Sequence, residues 1–184
     1  MTTAAFRDSH LAALAGRLAA LEPRTRAAVA GLAAGQLAAT PPGGGWSVGQ
    51  VFEHLCRGNE AYLVPMAAAV AAARRRGGAP RPHRPSFFGG LLLKAIAESN
   101  PRRLPTTPRM TPLAVREDVV EAFLGTLARI DALAREADGA DLRTGMWSPL
   151  GPIRLNLGDA FAILVAHAER HLGQAERTRR ALGA

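Results

Sequence analysis

Apolar residues along the chain recur at steps of three and four, not two. Leu11, Leu14, Leu18 and Leu21 form one such stripe, which predicts a first amphipathic helix that Pro23 interrupts. A second helical piece, TRAAVAGLAAGQLAA, continues to about Ala39, where TPPGGG breaks the chain. Ser47 and Gln50 then form a capping box, with Trp46 and Val51 placed to staple the same turn. The helix they open is expected from about Val48 to Arg75, with Val51, Leu55, Gly58 and Tyr62 on its inward stripe and His54 at that stripe's edge. Arg74, Arg75 and Arg76 fall in its last turn before Gly77 and Gly78, where cations complement the exposed carbonyls.

Residues 77–110 are dense in Pro, Gly and Arg, with one apolar piece, FFGGLLLKAIAES, that Ser86 can cap as a helix. Two readings stay open for this segment. It is either a crossover that returns the chain along the bundle, leaving the flanking helices parallel, or a flexible excursion. Thr111 and Pro112 predict the start of a helix carrying Val115, Val119, Phe123, Leu127, Ile130 and Leu133, ending near Ala137. After the loop MWSPLGPIR, Asn156 and Asp159 cap a last helix to about Leu182, carrying Phe161, Leu164, His167 and His171. The pattern describes an all-α chain: a four-helix bundle with a long crossover between its second and third helices.

Composition agrees. The chain of 184 residues suits one domain, 1–184, with the Pro/Arg-rich insertion at about 77–110, and only 5% of it is aromatic. The formal charge of +8 is carried almost wholly by arginines spread along the chain, Lys94 being the single lysine. No one helix face collects them, so nucleic acid is not an expected partner. Cys56 stands alone, which excludes an intrachain disulfide and fits a reducing compartment. The first residues, MTTAAFRDSHLAALAGRL, lack the unbroken apolar core of a signal peptide, and no other run is long enough to span a bilayer. A cytoplasmic protein with a small-molecule substrate, no membrane partner and a possible homodimer through helix faces is expected.

The candidate chemistry lies in HAERHLGQ, residues 167–174. His167 and His171 are four apart, so their rings project from one helix face and can share an ion. A catalytic divalent ion takes three protein ligands, and His54 is the natural third donor from a facing helix. The arrangement is not that of the zinc peptidases, because Ala168 follows the first histidine and Glu169 points away from it, towards solvent. Gly58, one turn from His54, would leave volume for substrate or allow close helix packing. Arg57 could steer an anion or simply pair with an acid. Gln174 could orient His171 or be a surface amide. His10, His83 and Cys56 carry no expected chemistry.

The segment GGGWSVGQVFEHLCRGNEAY, followed by HAERHLGQAERTRR in the last helix, resembles the DinB-like superfamily. There WS-x-x-[EQ]-x-x-x-HL opens the second helix and H-x-x-x-H-x-x-Q lies in the last. The resemblance runs from about residue 7 to 181 and implies a four-helix bundle with a long crossover. It also implies a divalent ion (Zn, Ni, Fe or Mn) held by His54, His167 and His171. Relatives include S-transferases and isomerases that use low-molecular-weight thiols such as bacillithiol, mycothiol or glutathione. A thiol S-transferase-like activity, with such a thiol as cosubstrate or with water in its place, is therefore the leading expectation. A non-catalytic metal-binding or interaction bundle is the alternative. The insertion around 77–110 departs from the family pattern and bears on the substrate.

Overall fold

The computed structural model describes residues 5–77, 79–100 and 106–183. Helix α1 spans Ser9–Val29, α2 Ala34–Ala38, α3 Val48–Arg76, α4 Phe87–Ile96, α5 Val119–Ala137 and α6 Leu157–Ala181. A 3₁₀ turn occupies Pro108–Met110, and a small antiparallel hairpin pairs β1 (Gly145–Trp147) with β2 (Arg154–Asn156). No helix among the described residues is long and apolar enough to cross a membrane.

The long helices α1, α3, α5 and α6 form the bundle, and their directions follow from who meets whom. Arg17 and Arg24 of α1 pair with Glu169 and Glu176 of α6, so these two run parallel. Cys56, Asn59 and Arg74 of α3 meet Val119, Thr126 and Glu136 of α5 in the same order, so this pair is parallel as well. In contrast, Asp8 of α1 meets Asp138 while Arg26 meets Glu121, which sets α1 antiparallel to α5. The parallel α3–α5 pair requires the crossover reading of the intervening chain. Apolar side chains from all four helices, among them Leu11, Phe52, Phe123 and Phe161, fill the interior.

The described part of the crossover lies along α6. At one end Asp159, fully buried, accepts from the backbone N–H groups of Asn156 (3.1 Å) and Ser86 (3.2 Å) and from His83 Nε2 (3.1 Å). His10 stacks on His83 with ring centroids 3.9 Å apart and bonds the Gly158 carbonyl through Nε2 at 3.1 Å. Gly89 is required here, because a Cβ at that position would stand 2.3 Å from the Asp159 carboxylate. At the other end Arg170 Nη1 donates to the carbonyls of Ala97 (2.6 Å) and Asn100 (2.9 Å). Residues 78 and 101–105 of the insertion lie outside the described residues.

Three local expectations are corrected. Pro23 does not end α1, because Leu21, Thr25 and Ala28 on either side of it are buried against the bundle and the packing holds the helix through the missing bond. Helix α5 begins at Val119, not at Pro112. Residues 111–118 instead cross α3 as an irregular segment of bends and a final turn, where Val115 packs over Gly49 and Arg116 reaches Glu53. The stretch read as a plain loop carries the β1–β2 hairpin, whose Ser148 hydroxyl bonds Tyr62 at 3.2 Å.

Candidate metal centre

His54 lies in the second turn of α3, whose start is set by the reciprocal bonds of Ser47 and Gln50 (3.1 and 3.0 Å). His167 and His171 stand one turn apart on α6, whose start is set in the same way by Asn156 and Asp159 (2.8 and 3.1 Å). Antiparallel packing of α3 on α6 brings the three rings together. Their centroids are separated by 5.0 Å (54–167), 4.6 Å (54–171) and 4.6 Å (167–171), with planes inclined at 61°, 63° and 74°. One nitrogen from each ring falls within 4.8 Å of the others. His54 Nε2 and His167 Nε2 are 3.1 Å apart.

Two acceptors fix which nitrogens face inward. The Met110 carbonyl can only accept, so His54 donates from Nδ1 at 2.8 Å and presents the lone pair of Nε2. His171 Nδ1 stands 2.9 Å from Gln174 Oε1 and is fixed likewise. Gln174 is thus an orienting group and not a surface amide. Burial is the main cause that pulls all three histidines towards the neutral form. It lowers His54 against the pull of the Met110 bond, and takes His167 well below the usual imidazole range with added repulsion from His171 and His54. His171 is brought to about 4, burial first and His54 second. Neutral imidazole is the form that ligates metal.

The donor set fits a divalent ion. Metal–nitrogen bonds of 2.0–2.1 Å in tetrahedral geometry place two ligand nitrogens about 3.3 Å apart, close to the 3.1 Å between His54 and His167. Three nitrogens from two helices leave room for a further ligand, as a catalytic site requires. Zn, Ni and Fe all accept imidazole ligands.

The surroundings settle the remaining candidates. Gly58 faces the centre: a Cβ there would meet His167 Cε1 at 3.5 Å, an ordinary contact, so close packing does not by itself demand glycine. Arg57 is bonded to Glu53 at 3.3 Å, and Glu53, almost fully buried, also takes two bonds from Arg116. Glu169 points to the surface, as expected, and there bonds Arg17 at 2.9 and 2.6 Å. His10 and His83 join in the Asp159 cluster, away from the centre, where they fasten the crossover. Cys56 is a buried thiol pushed up to about 12 by burial. Sequence reasoning missed two participants. Trp46, read only as a staple, lies 4.8 Å from the His54 ring and 6.1 Å from that of His171. Its place beside the Ser47 cap was the available signal. Met110 contributes a backbone carbonyl, for which no side-chain pattern exists.

The sequence model of the DinB superfamily matches residues 17–175. The chain belongs to this superfamily. Among solved structures, it is similar to YfiT from Bacillus subtilis, described as a probable metal-dependent hydrolase with an unusual four-helix bundle topology. The TM-score is 0.59 at 18% identity, over 94% of this chain and 87% of that one. At that identity the likeness shows the fold. No curated protein matches the chain.

Proposed function

We propose that His54, His167 and His171 ligate one divalent metal ion and that the protein is a metal-dependent enzyme acting on a small molecule. Transfer of a low-molecular-weight thiol to an electrophile is the preferred reaction. The observation that carries the reading is the convergence of three neutral imidazoles, two of them with the outer nitrogen held by a dedicated acceptor. A bound divalent ion supplies a Lewis acid that makes a nucleophile available at neutral pH.

Thiol chemistry is preferred over hydrolysis because of what the neighbouring acids do. Glu53 and Glu169, adjacent in sequence to the histidine set, are committed to Arg57, Arg116 and Arg17. Neither is free to take a proton from water. A thiol starts near pKa 8.5 and water at 15.7, so a thiol held by the ion needs the smaller drop to ionise at neutral pH, its proton passing to solvent. YfiT, described as a probable hydrolase, makes water the second candidate nucleophile.

Elemental analysis of protein purified without chelators tests the metal. One equivalent of Zn, Ni, Fe or Mn is expected, and its loss in His54→Ala, His167→Ala and His171→Ala. Metal-free wild-type protein, or a His171→Ala variant that retains the full equivalent, overturns the site. The metal-loaded protein is then assayed with glutathione, mycothiol and bacillithiol against an electrophilic acceptor. Ester cleavage without thiol dependence would assign hydrolysis instead.

A further inference from the structure

Helix α4 packs one face on α6 and leaves the other uncovered. On that outer face Phe87 is 81% exposed, Leu91 58% and Phe88 47%, and the two phenylalanine rings touch at 5.3 Å. The bundle does not need these side chains, since Gly89, Leu92, Leu93 and Ile96 make the inward contacts. Lys94, exposed, stands one turn beyond Leu91 on α4, and Arg84, also exposed, lies just before the Ser86 cap at the other end of the helix. Residues 77–110 contain six cations and a single acid, Glu98. That acid is turned against Gly173 of α6. The hairpin beside α4 adds Arg154, stacked over the half-exposed Trp147 at 5.3 Å.

We propose that the outer face of α4 docks on an anionic lipid bilayer surface, with Phe87, Phe88 and Leu91 entering the headgroup–acyl boundary and Arg84 and Lys94 contacting anionic headgroups. A short apolar centre with basic ends is the arrangement of helices that lie in the plane of such an interface. The face is ordered before it binds, because Ser86 caps α4 at 3.0 Å and Asp159 holds its first turn. No folding cost is then charged to docking. A second copy of the chain fits less well. An isologous contact would set Arg84 and Lys94 against their own equivalents in a chain of formal charge +8. This docking lays the protein on the bilayer and involves no spanning segment.

Co-sedimentation of the full-length protein with vesicles tests the assignment. The protein is expected to pellet with phosphatidylcholine–phosphatidylglycerol vesicles and to stay in solution with phosphatidylcholine alone. Phe87→Asp/Leu91→Asp should reduce partitioning at least about tenfold without lowering thermal stability, since both side chains are exposed. Arg84→Ala and Lys94→Ala should each reduce it about fivefold. Absence of binding to the anionic vesicles overturns the proposal, as does binding that the Asp pair leaves unchanged. A wild-type solution mass of twice the chain that halves in the Asp pair overturns it too, by assigning the face to self-association.

Discussion

Gly89→Ala sets two known effects against each other at one position. In a helix, Ala is favoured over Gly by up to about 1 kcal/mol. Here the added methyl would lie 2.3 Å from both Cγ and Oδ2 of Asp159 and 2.7 Å from Oδ1. That carboxylate cannot step aside cheaply. It is fully buried and held by the N–H groups of Ser86 and Asn156 and by His83. Moving it sacrifices hydrogen bonds to a charged group, each about 1.5–3 kcal/mol, and moving α4 instead carries an overpacking cost of about 1–3 kcal/mol. The clash therefore wins by about 2 kcal/mol, which for a chain of this length lowers Tm by roughly 4–8 °C. Gly125→Ala, in α5 with nothing within 4 Å of the new Cβ, is the matched control. It should gain up to about 1 kcal/mol and raise Tm by roughly 2–4 °C. Thermal unfolding by circular dichroism reads both. Should Gly89→Ala stabilise the protein as Gly125→Ala does, the crossover is not fastened to α6 through Asp159.

Other perturbations follow from the same structure. Burial holds His10 below its usual pKa of 6.5, so the unfolded chain takes up a proton there that the folded chain refuses. At Asp159 burial raises the carboxyl, but the bonds from His83, Ser86 and Asn156 outweigh it and hold it below the usual range, so acid also favours unfolding there, below about pH 4. The unfolding free energy measured in urea should therefore fall as pH drops from about 7 to 3, and His10→Gln should flatten the upper part of that slope; a rise between about pH 7 and 4 contradicts the sign at His10, and a rise below about pH 4 that at Asp159. Cys56, pushed to about 12 by burial, should resist iodoacetamide at pH 8 in the native protein and react once guanidinium unfolds it. Glu53→Gln removes the carboxylate shared by Arg57 and Arg116 and should cost about 1–3 kcal/mol in urea unfolding, less for a pair whose arginines reach solvent than for a fully buried one.

What was legible in the sequence depended on how local the cause was. Capping boxes act over three residues, so the starts of α3 and α6 were readable from Ser47–Gln50 and Asn156–Asp159. The amphipathic stripes gave the four long helices, and the four-residue spacing of His167 and His171 gave a shared face. Failures came where a distant partner overrode the local signal. Thr111–Pro112 is a sound helix start, yet Val115 and Arg116 are drawn across α3 before α5 can begin. Pro23 is a helix breaker in isolation, and the bundle supports the helix through it. His10 and His83 carry no pattern linking them, because Asp159, their common neighbour, looked like an ordinary capping residue.

The site itself shows the same division, and it can be tested there. The rings of His54, His167 and His171 are brought together by two helices, but the direction of their lone pairs is not set by those helices alone. Gln174 orients His171 from three residues away, whereas His54 depends on the Met110 carbonyl, 56 residues distant in the chain. The end of the crossover is thus part of the centre. Outer hydrogen-bond partners of ligating histidines are worth about 10- to 100-fold in metal affinity. One glycine inserted after Thr107 displaces the Met110 carbonyl without touching the bundle and should weaken binding of the proposed ion by about that factor, read by competition with a chromophoric chelator. Met110→Leu keeps the carbonyl and should leave the affinity unchanged. The opposite outcome, with the insertion silent and Met110→Leu weakened, would mean that the side chain at 110 and not its backbone supports the centre, and the account of how His54 is oriented would fall.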